Sequence, residues 1–536
     1  MPEETAQSRT ISRLTLLALL AIMVSGFCLR VFDVNWDQSK NLHPDELFVS
    51  GRAVDMLHQG LPYNWDTLSD PEISPLNPRY KICDNGANYC NYSYGALPLL
   101  LVQAGAKITS EWTGGDYTGL DRLRIIGRKM SASVDTLTIL LVFLLATRLF
   151  NQNVGLLSAA TYAATPLQIQ LSHFFTTDIW LAFFVALTIW CSILALDKER
   201  HGWFMLAGMS FGFALATKGS IILLAGIPAL AAILWAWRRL DPDDPADAVL
   251  GCLSRLLLAG VAAVIGFGMF EPYALVRSSV YIAQLREQQN MASGTIDFPY
   301  TRRYVGTTPG VYQLEQLWRW GMGPVATTLA IIGVALMAWF CIKRRQPAIL
   351  LPLAFLGLQL IVVLTPQIKF LRYQAPLIPV LSIGCGLAIW TGYKWLANRV
   401  NIIPAIVFAG ICLAGIGLWT AAFTNIYRGD QSRIAASKWI YANVPMGSAL
   451  IDDSGDVLLP VPLGPLLTSE DNQYTVIPLD IYGDRPQEDV SDYLWNQLQS
   501  ADFVVQSSNR LRESVATEPW RYPVQIAYYN LLDSGQ

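Results

Sequence analysis

Two adjacent carboxylates, Asp45 and Glu46 in the run His43-Pro44-Asp45-Glu46, stand just beyond the first long apolar segment, Leu14 to Phe32. A carboxylate held at a membrane surface is suited to general-base work on a hydroxyl delivered in or near lipid. Neighbours on a helix diverge by about 100°, so the two acids cannot aim at one spot; one can face a reaction centre while the other orients a helix or cation. The plainer reading is a charged first helical turn after Pro44, favoured by the helix dipole. Cations accompany them at other segment ends: Lys218, the pair Arg302 and Arg303, and Lys369, Arg372 and Tyr373 in Lys369-Phe370-Leu371-Arg372-Tyr373. Two readings stand for these: snorkelling to lipid headgroups, or capture of a phosphate-bearing ligand, which arginine recognises bidentately. Their recurrence on one face favours the second. His173 and Asp178, in Ser-His-Phe-Phe-Thr-Thr-Asp, sit where one apolar segment ends and the next begins, a depth at which titratable groups are functional candidates. With His43 and the acids they have the donor chemistry for a divalent metal such as zinc or manganese, although no two show a helical ligand spacing.

The elements that position these residues are membrane spans. Hydrophobic residues make up 53% of the chain and charged residues only 15%, against roughly 25% charged in ordinary soluble domains. The net charge of −3 excludes the strongly basic character of a nucleic-acid binder. Eleven segments are expected to span, at about 14–33, 130–149, 153–172, 176–196, 202–217, 219–238, 253–272, 321–341, 347–365, 373–393 and 402–422. Most approach the ~20 residues that cross a ~30 Å hydrocarbon core. The first reads as an uncleaved anchor. A shorter stretch, Ala96 to Ile108 with Pro98 near its head, is expected to lie on or dip into the membrane.

Charge sets the orientation. With a cytoplasmic N-terminus, the inner loops carry Arg9 and Arg13, Lys198 and Arg200, Arg238 and Arg239, Lys343 to Arg345, and Lys394 with Arg399, as the positive-inside rule requires. Every candidate named above then falls outside, as do Cys83 and Cys90 in the first outer loop. An oxidising outer compartment permits a disulfide between those two. After Thr424 the composition shifts to Asp-rich turns, helix-like stretches at Gln431 to Ala442 and Ser491 to Leu498, and β-like runs at Ser448–Ile451, Tyr474–Pro478, Phe503–Gln506 and Val524–Tyr528. The expected organisation is a transmembrane domain over 1–427 with outer loops 34–128 and 273–320, followed by a small α/β extracytoplasmic domain over 428–536.

Several motifs together resemble a known family. They are the acidic pair soon after the first span, the segment Asn91-Tyr92-Ser93-Tyr94-Gly95-Ala96-Leu97-Pro98, the Arg122 to Arg128 head of the second span, Asp178 opening the fourth, and Arg372-Tyr373 before a late span. In order and sidedness this is similar to the membrane glycosyltransferases of the GT-C fold, above all to family 39, which includes protein O-mannosyltransferases, and to the aminoarabinose transferase of lipid A. The resemblance covers roughly residues 10 to 425. It implies a GT-C-like, α-helical polytopic enzyme that takes a sugar from a polyprenyl-phosphate donor and transfers it, with inversion, on the outer face. It also implies Asp45 as the base with Glu46 as its neighbour, Asp178 as the second acid, and Lys218, Arg302 and Arg372 toward the donor phosphate. His43-Pro44 departs from many members, and the outer domain matches no acceptor-binding module. The acceptor is therefore open among lipid, glycan and protein. A bacterial or archaeal plasma membrane fits the sidedness. Two other classes stand beside this reading: a secondary transporter, for which the expected internal repeat is missing, and a non-catalytic membrane scaffold.

Overall fold

The structure is a computed structural model, and it describes residues 11–57, 65–71, 74–77, 92, 94–241, 243–453, 457–464, 473–483 and 485–535. Among these, nine helical stretches are long and apolar enough to cross a membrane. They begin with Arg13–Val31 and Leu120–Leu149 and end with Leu371–Arg399 and the run from Ile402. Two of the eleven expected spans fall short of that length. One breaks into Gln152–Ala163 and Pro166–Ser172, because Pro166 lacks the N–H that would continue the ladder and pushes Thr165 to extended backbone. The other is the His201–Leu215 helix of 15 residues.

Burial sorts the bundle into centre and rim. The apolar stretches of Asp178–Lys198 and Leu371–Arg399 are 83% and 78% buried in protein, whereas those of Arg13–Val31 and the helix from Ile402 are 17% buried and face outward. Small residues let the helices approach closely, as membrane packing favours. A Cβ added to Gly208 would lie 2.0 Å from Ala259 O, and one added to Gly333 would lie 1.7 Å from Gly384 O. Ion pairs Arg148–Asp197 (2.7 Å) and Arg239–Glu199 gather at one end of the bundle. Asp178 and Lys218 stand at the other end of the helical stretches that carry Asp197 and Arg239.

Connecting elements build that second end. Pro44–Leu57 follows the first span, the 18-residue Ala96–Thr113 helix lies outside the nine candidate spans, and Pro272–Val276, Ser278–Ala292, a 3-10 turn at Pro299–Tyr304 and Val311–Gln316 fill the later loop. Beyond Thr424 the chain forms a three-stranded parallel sheet in the order β2-β1-β3, with β1 Ala449–Asp452, β2 Thr475–Pro478 and β3 Phe503–Val505. Central β1 alternates its side chains between two apolar clusters. Ile451 joins Leu479, Val490, Leu494 and Tyr528, while Leu450 joins Ile434, Ile440 and Val461. Leu42, from the loop before Asp45, belongs to the second cluster. The β-like run at Val524–Tyr528 is instead part of a helix, Pro523–Ser534. Pro523 opens it, and Gln525, Tyr528 and Tyr529 share its buried face at helical spacing.

Candidate active site

Pro44 starts a helix and puts Asp45 and Glu46 in its first turn. His43 Nδ1 accepts the Glu46 N–H at 3.2 Å, and its ring lies 4.3 Å from that of Phe174. Burial pushes the imidazole down to about 4, with Glu46 opposing and Arg372 assisting, so His43 is a neutral cap for this turn.

The two acids diverge as their adjacency requires. Glu46 points inward, 1% exposed, and takes both arms of Arg128 at 2.7 and 2.6 Å together with the Phe175 N–H at 2.8 Å. Arg128 also donates to Asp37 at 2.9 Å and to Val34 O at 2.8 Å, and Arg124 stands 3.7 Å from Asp37. Burial raises the Asp37 carboxyl, but the hydrogen bond and charge of Arg128, helped by Arg124, hold it below its ordinary value. This is a buried ionic knot that fastens the loop after the first span to the Leu120–Leu149 helix. Asp45 points the other way. Its side chain is 30% exposed, it pairs with Arg372, and it accepts the Tyr94 hydroxyl at 3.0 Å. Burial keeps the Tyr94 phenol above its usual range, reinforced by Asp178.

Facing this carboxylate is a second ion pair. Asp178 opens its helix and meets Lys218 Nζ at 2.9 Å. Lys218 lies in extended backbone between the His201–Leu215 helix and the 3-10 turn at Gly219–Ala225. Burial alone would depress its ammonium, but the charge of Asp178 and the Tyr373 phenol keep it raised. Tyr373 links the halves, its ring 5.4 Å from Lys218 Nζ and 6.0 Å from the Arg372 guanidinium carbon. The 3-10 turn Leu371–Leu377, which holds Pro376, fixes Arg372 and Tyr373 side by side. The result is a partly open cleft with two carboxylates, two cations and two phenols.

Other expected residues sit elsewhere. Arg302 pairs with Asp297 at 2.8 Å, donates to Tyr482 O at 3.3 Å, and lies 3.9 Å from Glu518; Arg303 reaches Glu513 at 3.4 Å. Both tie the 273–320 loop to the domain after Thr424 rather than facing Asp45. Lys369 is buried, its Nζ on Gln367 O at 3.0 Å. His173 is also buried, its ring nitrogens on Ile169 O (2.7 Å) and Phe32 O (2.9 Å), its ring stacked 3.9 Å from Tyr427. His43, His173 and Asp178 therefore do not converge, and among the described residues no three His, Cys, Asp or Glu side chains are placed to hold a metal. Cys83 and Cys90 lie outside the described residues.

Sequence reasoning missed the buried set Arg30, Asp135, Tyr162 and Ser172. Arg30 Nε meets Asp135 at 2.5 Å, with the Tyr162 and Ser172 hydroxyls on the same carboxylate at 2.5 and 3.2 Å. A charge of each sign inside two apolar spans was the available signal. The set closes on itself inside the bundle and does not open on the cleft.

Comparison with known proteins decides the architecture. A family model described as dolichyl-phosphate-mannose-protein mannosyltransferase matches residues 127–270, a stretch that includes Arg128, Asp178 and Lys218 but neither Asp45 nor Arg372. No curated protein matches the chain. The oligosaccharyltransferase of Archaeoglobus fulgidus in its apo form superposes with a TM-score of 0.50 at 16% identity, over 83% of this chain and 63% of that one. The chain therefore spans less than two thirds of that protein. AglB, the oligosaccharyltransferase from the same archaeon, in complex with an inhibitory peptide and a dolichol-phosphate, gives 0.52 at 15% identity over 95% and 71%. The chain has the GT-C fold. ArnT from Cupriavidus metallidurans bound to undecaprenyl phosphate covers 95% of this chain and 88% of its own at 14% identity, with a TM-score of 0.47. Within the GT-C fold of this multi-pass membrane protein, the cleft lies at the end of the bundle where the Pro44–Leu57 and Ala96–Thr113 helices and the late loop converge.

Proposed function

We propose that this protein is a membrane glycosyltransferase that moves a sugar from a polyprenyl-phosphate-linked donor to an acceptor hydroxyl on the extracytoplasmic face, with inversion at the anomeric carbon. The observation that carries this reading is the partly exposed Asp45 carboxylate, bonded to Tyr94 and Arg372 across from the Asp178–Lys218 pair. The GT-C fold supports it, as does the family-model match, and the dolichol-phosphate in the AglB complex shows the kind of ligand such a fold accommodates. The basic residues at the opposite end of the bundle support placing the cleft outside.

Chemically, a lipid phosphate leaves without needing a proton if cations stabilise its charge. Lys218 and Arg372 are the cations that face the cleft. Before the donor arrives, Arg372 is matched by Asp45. A phosphate bound at Arg372 competes for the same guanidinium, releasing the carboxylate to accept the proton of the acceptor hydroxyl as that oxygen attacks from the side opposite the phosphate. Tyr94 holds the carboxylate in place during this exchange. The domain from 428 to 536, fastened to the later outer loop by Arg302 and Arg303, is assigned to acceptor placement.

The decisive assay is purified protein with polyprenyl-phosphate sugars and a panel of lipid, glycan and peptide hydroxyl acceptors. Transfer lost in Asp45→Asn supports the assignment; solute flux without donor consumption would establish a transporter instead.

A further inference from the structure

Behind the cleft the chain crosses itself between Tyr94 and Leu97. The Gly95 N–H donates to Thr217 O at 3.1 Å and the Leu97 N–H to Ala216 O at 3.2 Å. These bonds tie the segment that carries Tyr94 to the turn that leads into Lys218. No side chain fits at the crossing, for a Cβ on Gly95 would lie 1.9 Å from Ala216 O. Between these two bonds lies the Ala96 N–H, an orphan donor at the head of the Ala96–Thr113 helix. Glu271 Oε1 accepts it at 2.6 Å.

Glu271 reaches the crossing from the far side, just after the Ala246–Gly268 span. It is 2% exposed, and its Oε2 is buried without a hydrogen-bond partner. A half-satisfied buried acid is an expensive way to cap a helix, so a role beyond capping is indicated. Three groups from neighbouring elements act on it or answer to it. Arg52, on the Pro44–Leu57 helix, lowers its proton affinity and donates to Tyr94 O at 2.7 Å. The Ala96 N–H does the same from the crossing, and the Tyr281 phenol on Ser278–Ala292 is itself raised by burial and by Glu271. The backbone on both sides of Gly95, the Tyr94 carbonyl and the Ala96 N–H, is thus held by Arg52 and Glu271.

We propose that Glu271 is a positioning residue whose carboxylate fastens the Tyr94–Leu97 crossing and thereby sets Tyr94, the hydrogen-bond donor to Asp45, against Lys218 and Asp178. Its meaning for catalysis rests on the sugar-transfer reading; the clamp itself does not. An ionised carboxylate accepts the Ala96 N–H more strongly than a neutral acid and suits a helix N-terminus. Burial pushes Glu271 up to about 7, so the clamp tightens as pH rises through neutrality and slackens below it.

Amide hydrogen exchange on the full-length protein in lipid nanodiscs tests this without turnover. For a peptide spanning 94–99, protection corrected for intrinsic exchange is expected to be about tenfold greater at pH 8 than at pH 6. Glu271→Gln, which keeps an acceptor but no charge, is expected to show the same protection at both pH values, and Glu271→Ala low protection at both. Protection in the wild type that ignores pH, or a Gln variant that tracks the wild type, overturns the clamp. In parallel, kcat/KM for a polyprenyl-phosphate sugar should lose activity on the acid side of about pH 7 in the wild type and not in Glu271→Gln. Exchange that behaves as expected in a protein without turnover would sink the sugar-transfer reading and leave the clamp standing; turnover with pH-independent exchange would do the reverse.

Discussion

Two clusters of charge lie within a few residues of each other and differ in how deeply they are buried. In the knot, Asp37, Glu46, Arg124 and Arg128 are buried, and Glu46 is fully engaged by Arg128 and the Phe175 N–H. In the cleft, Asp45 and Arg372 are 30% and 23% exposed and hold each other with capacity left for a ligand. Adjacency in sequence therefore says little about role. A buried network shielded from water resists exchange of partners, and a partly exposed pair invites it. The knot builds the floor on which the cleft's carboxylate stands.

Breaking the two clusters should produce different kinds of damage. The largest effect is expected from Asp45→Asn, a loss of turnover on the order of 10³-fold with thermal unfolding in detergent nearly unchanged; residual activity near wild type would remove Asp45 from the base role. Next, Glu46→Ala strips Arg128 of its bidentate partner, leaving Asp37 alone to compensate it, and orphans the buried Phe175 N–H; it should cost about 3–5 kcal/mol of stability, read as a lower unfolding midpoint and poor recovery from membranes. If Glu46→Ala were as stable as wild type but inactive, the division between knot and cleft would be misdrawn.

A third change sharpens the contrast through pH. His43 sits in the fold with its imidazole pushed down to about 4, so the neutral ring is the stabilising form. That contribution is present above the free-histidine value of about 6.5 and is lost as pH falls from there toward about 4, on the order of 3 kcal/mol in all. His43→Asn, which keeps a side-chain cap, should flatten the stability profile across that window; an unchanged profile would mean another group titrates there. The smallest effect belongs to Arg303→Ala. Its pair with Glu513 is 36% and 53% exposed, so stability should move by no more than about 0.5 kcal/mol and the donor KM not at all. A rise in donor KM would return Arg303 to the cleft.

How legible this was depends on the distance over which each feature acts. Apolar runs report membrane spans locally, and the helices at Asp178–Lys198 and Ile402–Thr424 stand close to where hydropathy places them. The break at Pro166, inside the span expected over 153–172, was missed although its signal is local, since proline's missing donor is a property of one residue. The Val524–Tyr528 run reads as a strand because valine, isoleucine and tyrosine favour sheets; Pro523 and the face it shares with Tyr529 override that propensity. The cleft was half legible. Asp45, Asp178, Lys218 and Arg372 stand out as charges at the ends of apolar segments, but nothing local says that Arg372 meets a residue 327 positions earlier, or that Arg128 meets Glu46 across 82. Glu271 was passed over because its Phe-Glu-Pro setting resembles an ordinary exit from a span, and its consequence lies in another segment's backbone.

The loop before Asp45 also grips the domain beyond Thr424. Trp36 donates to His173 O at 3.1 Å, Gln38 to Asp430 at 2.9 Å, Lys40 to Gly464 O at 2.9 Å, and Leu42 packs beneath β1. The first of these holds the bundle and the other three hold the domain after Thr424, a few residues upstream of Asp45. The loop is thus a short strut with one end set in the helical bundle and the other in the domain after Thr424, so Asp45 is only a few residues of chain away from that domain.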